Sequence, residues 1–147
     1  MMDVESVKCD ACSGLWPDVS YQIVTLTESS VYLHKDQFFP GWTVLVFKRH
    51  ATELFQLTHA ERNQLMDEVS RVAQALTQVF SALKVNYALL GNLLPHIHWH
   101  VIPRLAQDPA PRESVFSVSH EPLHLNAKDN QERIALIRQA INVNSHS

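Results

Sequence analysis

Apolar and polar residues alternate in several short stretches of the chain, a spacing typical of β-strands. Five such stretches are present: 21–29, 30–36, 42–50, 85–94 and 95–104. The third follows a Pro-Gly turn signal, and Pro103 is expected to end the fifth. The pattern therefore predicts five strands, with an antiparallel meander as the simplest arrangement of the first three.

Between the third and fourth stretches, apolar residues recur every three or four positions, which predicts an amphipathic helix. These positions are Leu65, Val69, Val72, Leu76, Val79, Phe80 and Leu83. Thr58 and Glu61 form a capping-box pattern, so the helix is predicted from Thr58 to about Leu83. A C-terminal helix is predicted from about Asp129, where Ile134, Ile137 and Ile141 share one face. The predicted fold class is α+β.

The fifth stretch, PHIHWHVIPR, places three histidines at alternate positions: His96, His98 and His100. On a strand their imidazoles would share one face, and the apolar residues between them would face a core. Imidazoles in this arrangement can bind a metal ion. They can also supply a nucleophile with its helpers, because a histidine nitrogen can attack phosphorus. The pattern alone does not choose between these two chemistries.

Composition narrows the class of protein. The chain has 147 residues, 46% of them hydrophobic, which is typical of one globular domain with a real core. A formal net charge of -3 without a long basic run disfavours a duplex nucleic acid partner. The sequence has no apolar run long enough to span a bilayer and its start lacks the apolar core of a signal peptide, so a cytoplasmic protein is expected.

Cys9 and Cys12 form a Cys-x-x-Cys pair in the sequence CDAC. A structural disulfide is disfavoured in a reducing compartment, so the pair indicates metal binding or redox chemistry. The residues that follow read as a turn before a strand and not as the βαβ unit of a redox protein. Metal binding is the better interpretation.

The sequence HIHWHVIP resembles the signature of the histidine triad (HIT) family of nucleotide hydrolases and transferases. The resemblance extends to the strands before PGW, the strand end VFKRH, the long helix and the Gly-Asn pair before the triad. Among the family, the sequence resembles the diadenosine polyphosphate hydrolase-like and zinc-containing bacterial members. It implies a five-stranded antiparallel sheet packed by one long and one C-terminal helix, usually in a homodimer. Residues 1–147 would form a single HIT domain, with an N-terminal segment at 1–19 and a variable C-terminal extension at 105–147.

The resemblance also implies a mechanism. His98 would be the nucleophile at the α-phosphorus of a nucleoside phosphate ester, anhydride or phosphoramidate, with His100 donating to an oxygen and His96 completing the triad. Water would release the nucleoside monophosphate, and no catalytic metal would be required. The alternatives are a nucleotidyl transferase or phosphorylase, a zinc-stabilised nucleotide-binding regulatory protein, and a triad that holds a hydrolytic metal.

Four further residues are expected to contact the nucleotide. They are Asn92, at the place of a family amide; His34, at the place of a ribose-binding residue; Trp42, at the place of a fourth histidine; and Arg104, at the mouth of the triad strand. Leu93 replaces a hydroxyl residue that is common in the family, which leaves the preferred leaving group open.

The resemblance gives the cysteines their partners. In zinc-containing relatives the ligands would correspond to Cys9, Cys12, His50 and His96, a closed tetrahedral set suited to structural zinc. The remaining histidines, His59, His120, His124 and His146, are expected to be solvated side chains.

Overall fold

The computed structural model describes residues 8–144, which form one antiparallel sheet and two helices. The strands are β1 (Gln22–Thr25), β2 (Ser29–Leu33), β3 (Thr43–Phe47), β4 (Lys84–Ala88) and β5 (His98–Arg104). The helices are α1 (His59–Phe80) and α2 (Ala127–Val143). The order of strands across the sheet is β1-β2-β3-β5-β4, and every pairing is antiparallel. The predicted α+β fold is confirmed.

The fifth strand differs from its prediction at both ends. It begins at His98, so His96 lies before the strand and the three imidazoles do not share one strand face. It continues through Pro103, which pairs with Val85 of β4, to Arg104. Pairing with β3 ends at Val101, so Pro103 lies where β5 has a neighbour on one side only, which a residue without an N–H group tolerates.

The other strands are shorter than predicted because each stretch also contains turn residues. The largest difference is in 85–94, where strand β4 ends at Ala88. The loop that follows carries Asn92 to the face of the sheet where the functional residues gather.

Helix α1 begins as predicted, because the Thr58 hydroxyl accepts from the Glu61 N–H and the Glu61 carboxylate accepts from the Thr58 N–H. It ends at Phe80, where Ser81 adopts a left-handed conformation, rather than at Leu83. Helix α2 begins two residues before the predicted Asp129, after the N-cap Asn126. Within residues 8–144 neither helix is long and apolar enough to cross a membrane.

The core lies between one face of the sheet and the two helices. All five residues of β3 are buried, and both helices contribute apolar residues of their predicted stripes to one cluster. Val79 and Leu83, which were predicted to belong to the stripe of α1, are not in that cluster, because the helix ends at Phe80 and Leu83 is exposed. The Pro-Gly turn before β3 fits closely against the end of α1, since Gly41 has a φ of +89° and an added Cβ would lie 2.7 Å from both Phe80 and Pro103. The opposite face of the sheet, near the start of β5, is left for a site.

Candidate active site and metal-ligand cluster

Cys9, Cys12, His50 and His96 converge at the end of β3 and the start of β5. Their ligand atoms all lie within 4.8 Å of one another. The Sγ–Nδ1 distances are 3.5 Å from Cys9 to His96, 3.5 Å from Cys12 to His96 and 3.3 Å from Cys12 to His50. Ligand bonds of roughly 2.0–2.3 Å at tetrahedral angles place sulfur and nitrogen ligands roughly 3.5 Å apart. The spacing therefore matches a closed tetrahedral site.

The protonation of His96 also suits a metal ligand. Its Nε2 lies 2.6 Å from the Phe47 carbonyl oxygen, which can only accept, so Nε2 carries the hydrogen. Nδ1 is then free to coordinate, and a carbonyl that fixes the tautomer of a ligating histidine is a common feature of metal sites. Burial lowers the pKa of His96 and favours the neutral form that binds metal. The four residues form the predicted metal-ligand cluster, with a donor set that suits structural zinc.

A cleft of about 600 Å³ opens beside this cluster, a volume within the range of small-molecule sites. Four residues predicted from the sequence line it: His34, Asn92, His98 and His100. His96 does not, because its buried ring is directed to the cysteines. A smaller cavity of about 320 Å³ adjoins the cleft and shares His34 with it.

His98 has its tautomer fixed by the backbone. Its Nδ1 lies 2.7 Å from the carbonyl oxygen of His96, so Nδ1 donates a hydrogen bond. In the neutral ring the lone pair is then on Nε2. The ring lies at the cleft, with the Trp16 ring edge-on at 5.0 Å between centroids.

His100 has the opposite tautomer. The indole N–H of Trp42 lies 3.0 Å from His100 Nδ1 and can only donate, so Nδ1 accepts and the neutral ring carries its hydrogen on Nε2. Burial lowers the pKa of His100 to about 4, and the nearby rings of His98 and His34 act in the same direction.

Trp42 and His34 form a stacked pair beside His100. Their ring centroids are 4.1 Å apart and their planes 9° apart. Trp42 is buried and does not line the cleft, so it supports His34 and His100 from behind instead of contacting the nucleotide as expected. His34 lines both cavities, and its contact to substrate stays a prediction.

Arg104 is placed differently from its prediction. Its side chain is buried and donates to Asp108, Asn86 and the carbonyl groups of Glu113 and Ala110. It does not line the cleft. The guanidinium therefore organises the loop after β5, and the prediction that it steers phosphate is wrong because its charge is neutralised by Asp108.

Apart from the neighbours of Asn92 in the loop after β4, three residues of the cleft were missed in the sequence. They are Asp10, Trp16 and Phe116. Asp10 and Trp16 could have been predicted from the metal-ligand cluster. The segment that carries the two cysteines is held at His96, so it must pass next to His98. Phe116 packs edge-on against His100 at 5.1 Å, and nothing in the local sequence indicates that the segment after β5 returns to the site.

Comparison with known proteins agrees with this fold. The family model described as HIT domain matches residues 19–107. A histidine triad protein from Bradyrhizobium japonicum is 38% identical, with a TM-score of 0.75 over 82% of this chain and 89% of that chain. A Zn-bound histidine triad family protein from Mycobacterium smegmatis is 23% identical, with a TM-score of 0.68 over 94% of this chain and 96% of that chain.

A curated relative carries an enzyme name. The asymmetrical bis(5'-nucleosyl)-tetraphosphatase of Schizosaccharomyces pombe is 30% identical in an alignment of 94 residues that covers 60% of this chain and 52% of that protein. The chain thus spans about half the length of the curated relative it matches. Because the family model covers more than half of the chain, the protein belongs to the HIT family.

Proposed function

We propose that the protein is a nucleotide hydrolase in which His98 forms a covalent nucleotidyl intermediate. The observation that supports this most directly is the hydrogen bond from His98 Nδ1 to the His96 carbonyl, because it leaves the Nε2 lone pair for attack. The tetraphosphatase name of the curated relative supports a dinucleoside polyphosphate as one substrate class. A phosphoramidate is the other class that this chemistry accepts.

The reaction has two displacements. In the first, His98 Nε2 forms a bond to the α-phosphorus, and the bond to the leaving group breaks with its electron pair departing on the leaving group. In the second, water attacks the same phosphorus and gives up a proton to solvent, the phosphorus–nitrogen bond breaks, and the electron pair returns to Nε2. His100 donates from Nε2 to an oxygen on the phosphate, while Asn92 and His34 contact the substrate.

Zinc takes no part in these displacements. Bound by Cys9, Cys12, His50 and His96, it would have four protein ligands and no open position, so its role is to hold the N-terminal segment on the sheet. The Zn-bound relative from Mycobacterium smegmatis has the same fold and supports this assignment.

The second candidate is a transferase of the same fold, in which inorganic phosphate accepts the nucleotide from His98. The HIT family, as its signature implies, contains both nucleotide hydrolases and nucleotide transferases. The first displacement is the same in both kinds of enzyme. A third candidate is a zinc-stabilised nucleotide-binding regulatory protein whose catalysis would be incidental. Products formed with and without added phosphate separate the three: a hydrolase releases a nucleoside monophosphate, a phosphorylase releases a nucleoside diphosphate when phosphate is present, and the regulatory protein releases little of either.

Trapping the intermediate tests the proposed mechanism. A reaction with α-labelled dinucleoside polyphosphate, quenched in base where a phosphoramidate survives, is expected to leave label on His98. His98→Ala should lose the label and at least nine-tenths of the activity while still binding nucleotide. His59→Ala, which alters an exposed histidine of α1, is the control and should label normally.

An absence of label on every substrate, together with activity that disappears when metal is removed from the folded protein, would favour a hydrolytic metal held by the triad.

A further inference from the structure

Trp42 controls which form of His100 faces the cleft. Its indole N–H donates to His100 Nδ1 at 3.0 Å, and its ring is buried and stacked on His34. A donor that is packed on both sides cannot turn away to accommodate a second N–H group at Nδ1. The imidazolium form of His100 would place two N–H groups against each other, so Trp42 disfavours it.

The surroundings of His100 act in the same direction. The rings that face it are His98 on β5, His34 after β2, and the apolar Phe116. Asp10 is the one carboxylate that lines the cleft among the described residues, and it makes no hydrogen bond to His100. Burial, with the charges that His98 and His34 can carry, lowers the pKa of His100 to about 4. At neutral pH His100 is therefore an uncharged donor.

We propose that Trp42 is a positioning residue that holds His100 as a neutral Nε2–H donor, and that the site consequently prefers phosphoric anhydrides to phosphoramidates. This inference rests on the proposed function of His98.

The preference follows from the leaving groups. When His98 attacks an anhydride, the departing oxygen keeps the electron pair as a phosphate anion, whose conjugate acid has a pKa of about 6, so no proton transfer is needed. When His98 attacks a phosphoramidate, the departing nitrogen must gain a proton as its bond to phosphorus breaks. A neutral imidazole can donate a hydrogen bond to an oxygen but does not readily give up its proton.

No other residue of the cleft supplies that proton. The described residues that line it include no lysine, arginine, serine, threonine, cysteine or tyrosine. Its remaining titratable groups are Asp10, which is a base when ionised, His98, which is the nucleophile, and His34, whose pKa burial lowers. A substrate whose leaving group departs as a stable anion fits this set.

The tautomer can be read without activity. The measurement is a two-bond proton–nitrogen correlation spectrum of protein labelled with ¹⁵N in histidine. His100 is expected to be neutral and in the Nε2–H form from pH 8 to below 6.5, the ordinary pKa of histidine. Its signals can be assigned by their loss in His100→Gln. An Nδ1–H or charged His100 at neutral pH in the unaltered protein would overturn the proposal whatever the variants do.

Trp42→Phe removes the indole N–H donor and keeps an aromatic ring, so the midpoint of the His100 titration should move upward by about one pH unit or more. Trp99→Phe is the matched control, because Trp99 is the next residue to His100 and its buried indole N–H has no partner within residues 8–144. The control should leave the His100 signals unchanged. Equal shifts in both variants would overturn the role of Trp42.

Kinetics test the substrate preference. The unaltered protein should cleave a dinucleoside polyphosphate with a kcat/KM at least about a hundredfold above its kcat/KM for an adenosine phosphoramidate. In Trp42→Phe the ratio of these two kcat/KM values should be about tenfold smaller. Equal use of both substrates by the unaltered protein would overturn the preference while leaving the His98 mechanism intact. Turnover of neither would overturn the proposed function and the preference together, and the spectra would still decide the role of Trp42.

Discussion

The three triad histidines are held in alternating tautomers by three different groups. His96 donates from Nε2 to Phe47, His98 donates from Nδ1 to the His96 carbonyl, and His100 accepts at Nδ1 from Trp42. The result is one ring directed to metal, one with its lone pair free for attack and one with a hydrogen to donate. Each ring's chemistry thus depends on a single neighbouring atom.

The sequence predicted the identity of the site residues better than it predicted their individual roles. Alternation at 96, 98 and 100 and the Cys-x-x-Cys pair are local patterns that mark candidate residues. The full ligand set followed only from the resemblance to the HIT family, because His50 and His96 lie 38 to 87 residues from the cysteines in sequence. The role of Arg104 was predicted wrongly because its partners lie in a loop whose path depends on tertiary contacts. The same reason explains why Phe116 was missed.

Gly41→Ala is expected to destabilise the protein by about 2–4 kcal/mol. A side chain at its φ of +89° is strained by about 1–2 kcal/mol, and the added Cβ would also clash with Phe80 and Pro103 at 2.7 Å. Gly14→Ala is the control, since Gly14 has a φ of +77° but no atom within 4 Å of an added Cβ. Denaturant unfolding should show the smaller loss for Gly14→Ala, and equal losses would mean that the close fit of the turn contributes nothing.

At the scale of elements, the segment between β5 and α2 is fastened to the loop after β2. His120 Nε2 lies 2.8 Å from the Asp36 carboxylate and its Nδ1 lies 3.1 Å from the Val118 carbonyl, while the ring stacks on Phe38 at 4.1 Å. Both partners accept, so His120 makes both hydrogen bonds only as the imidazolium. His120 was expected to be solvated, and this interpretation was wrong because Asp36, 84 residues away in sequence, cannot be identified as its partner from local spacing.

This contact predicts a pH dependence of stability. The hydrogen bond to Asp36 raises the pKa of His120 above its ordinary 6.5, so its contribution is complete below pH 6.5 and is lost as pH rises through the higher value in the folded protein. Asp36 has a pKa below its ordinary 3.8 and remains ionised throughout this range. Melting temperatures of the parent protein and His120→Ala should differ by a few degrees at pH 6 and by less at pH 9.

His124→Ala alters an exposed histidine of the same segment and serves as the control. The melting temperature of His124→Ala should change with pH in the same way as that of the parent protein. A difference between parent and His120→Ala that is constant from pH 6 to pH 9 would rule out the ionic part of the contact.

At the scale of the whole molecule, one core joins sheet and helices, and α2 buries its isoleucine stripe in it although the family model ends at residue 107. Two statements stay predictions: a single domain over residues 1–147, and a homodimer. His146 and residues 1–7 lie outside the described residues. The fold was predictable from periodicity, whereas strand ends were not, because pairing with neighbours decides them.

Removal of zinc is expected to destabilise the whole domain. The purified protein should contain about one zinc per chain, and chelation should lower Tm by roughly 10 °C, the shift that about 3 kcal/mol produces in a domain of this size. Cys12→Ser should contain little zinc and should melt at the same temperature with and without chelator. Zinc-free parent protein prepared with zinc available would contradict the site.

Trp16 lies four residues after Cys12 and packs against His98, so one short piece of chain joins the metal-ligand cluster to the cleft. Two ligands that order the same segment are thermodynamically coupled, and such coupling is reciprocal. By whatever factor bound zinc raises the affinity for a nucleotide, a bound nucleotide raises the affinity for zinc by the same factor. To the extent of that factor, metal supply would influence how well the protein retains its substrate, and substrate supply would equally influence how well it retains its metal.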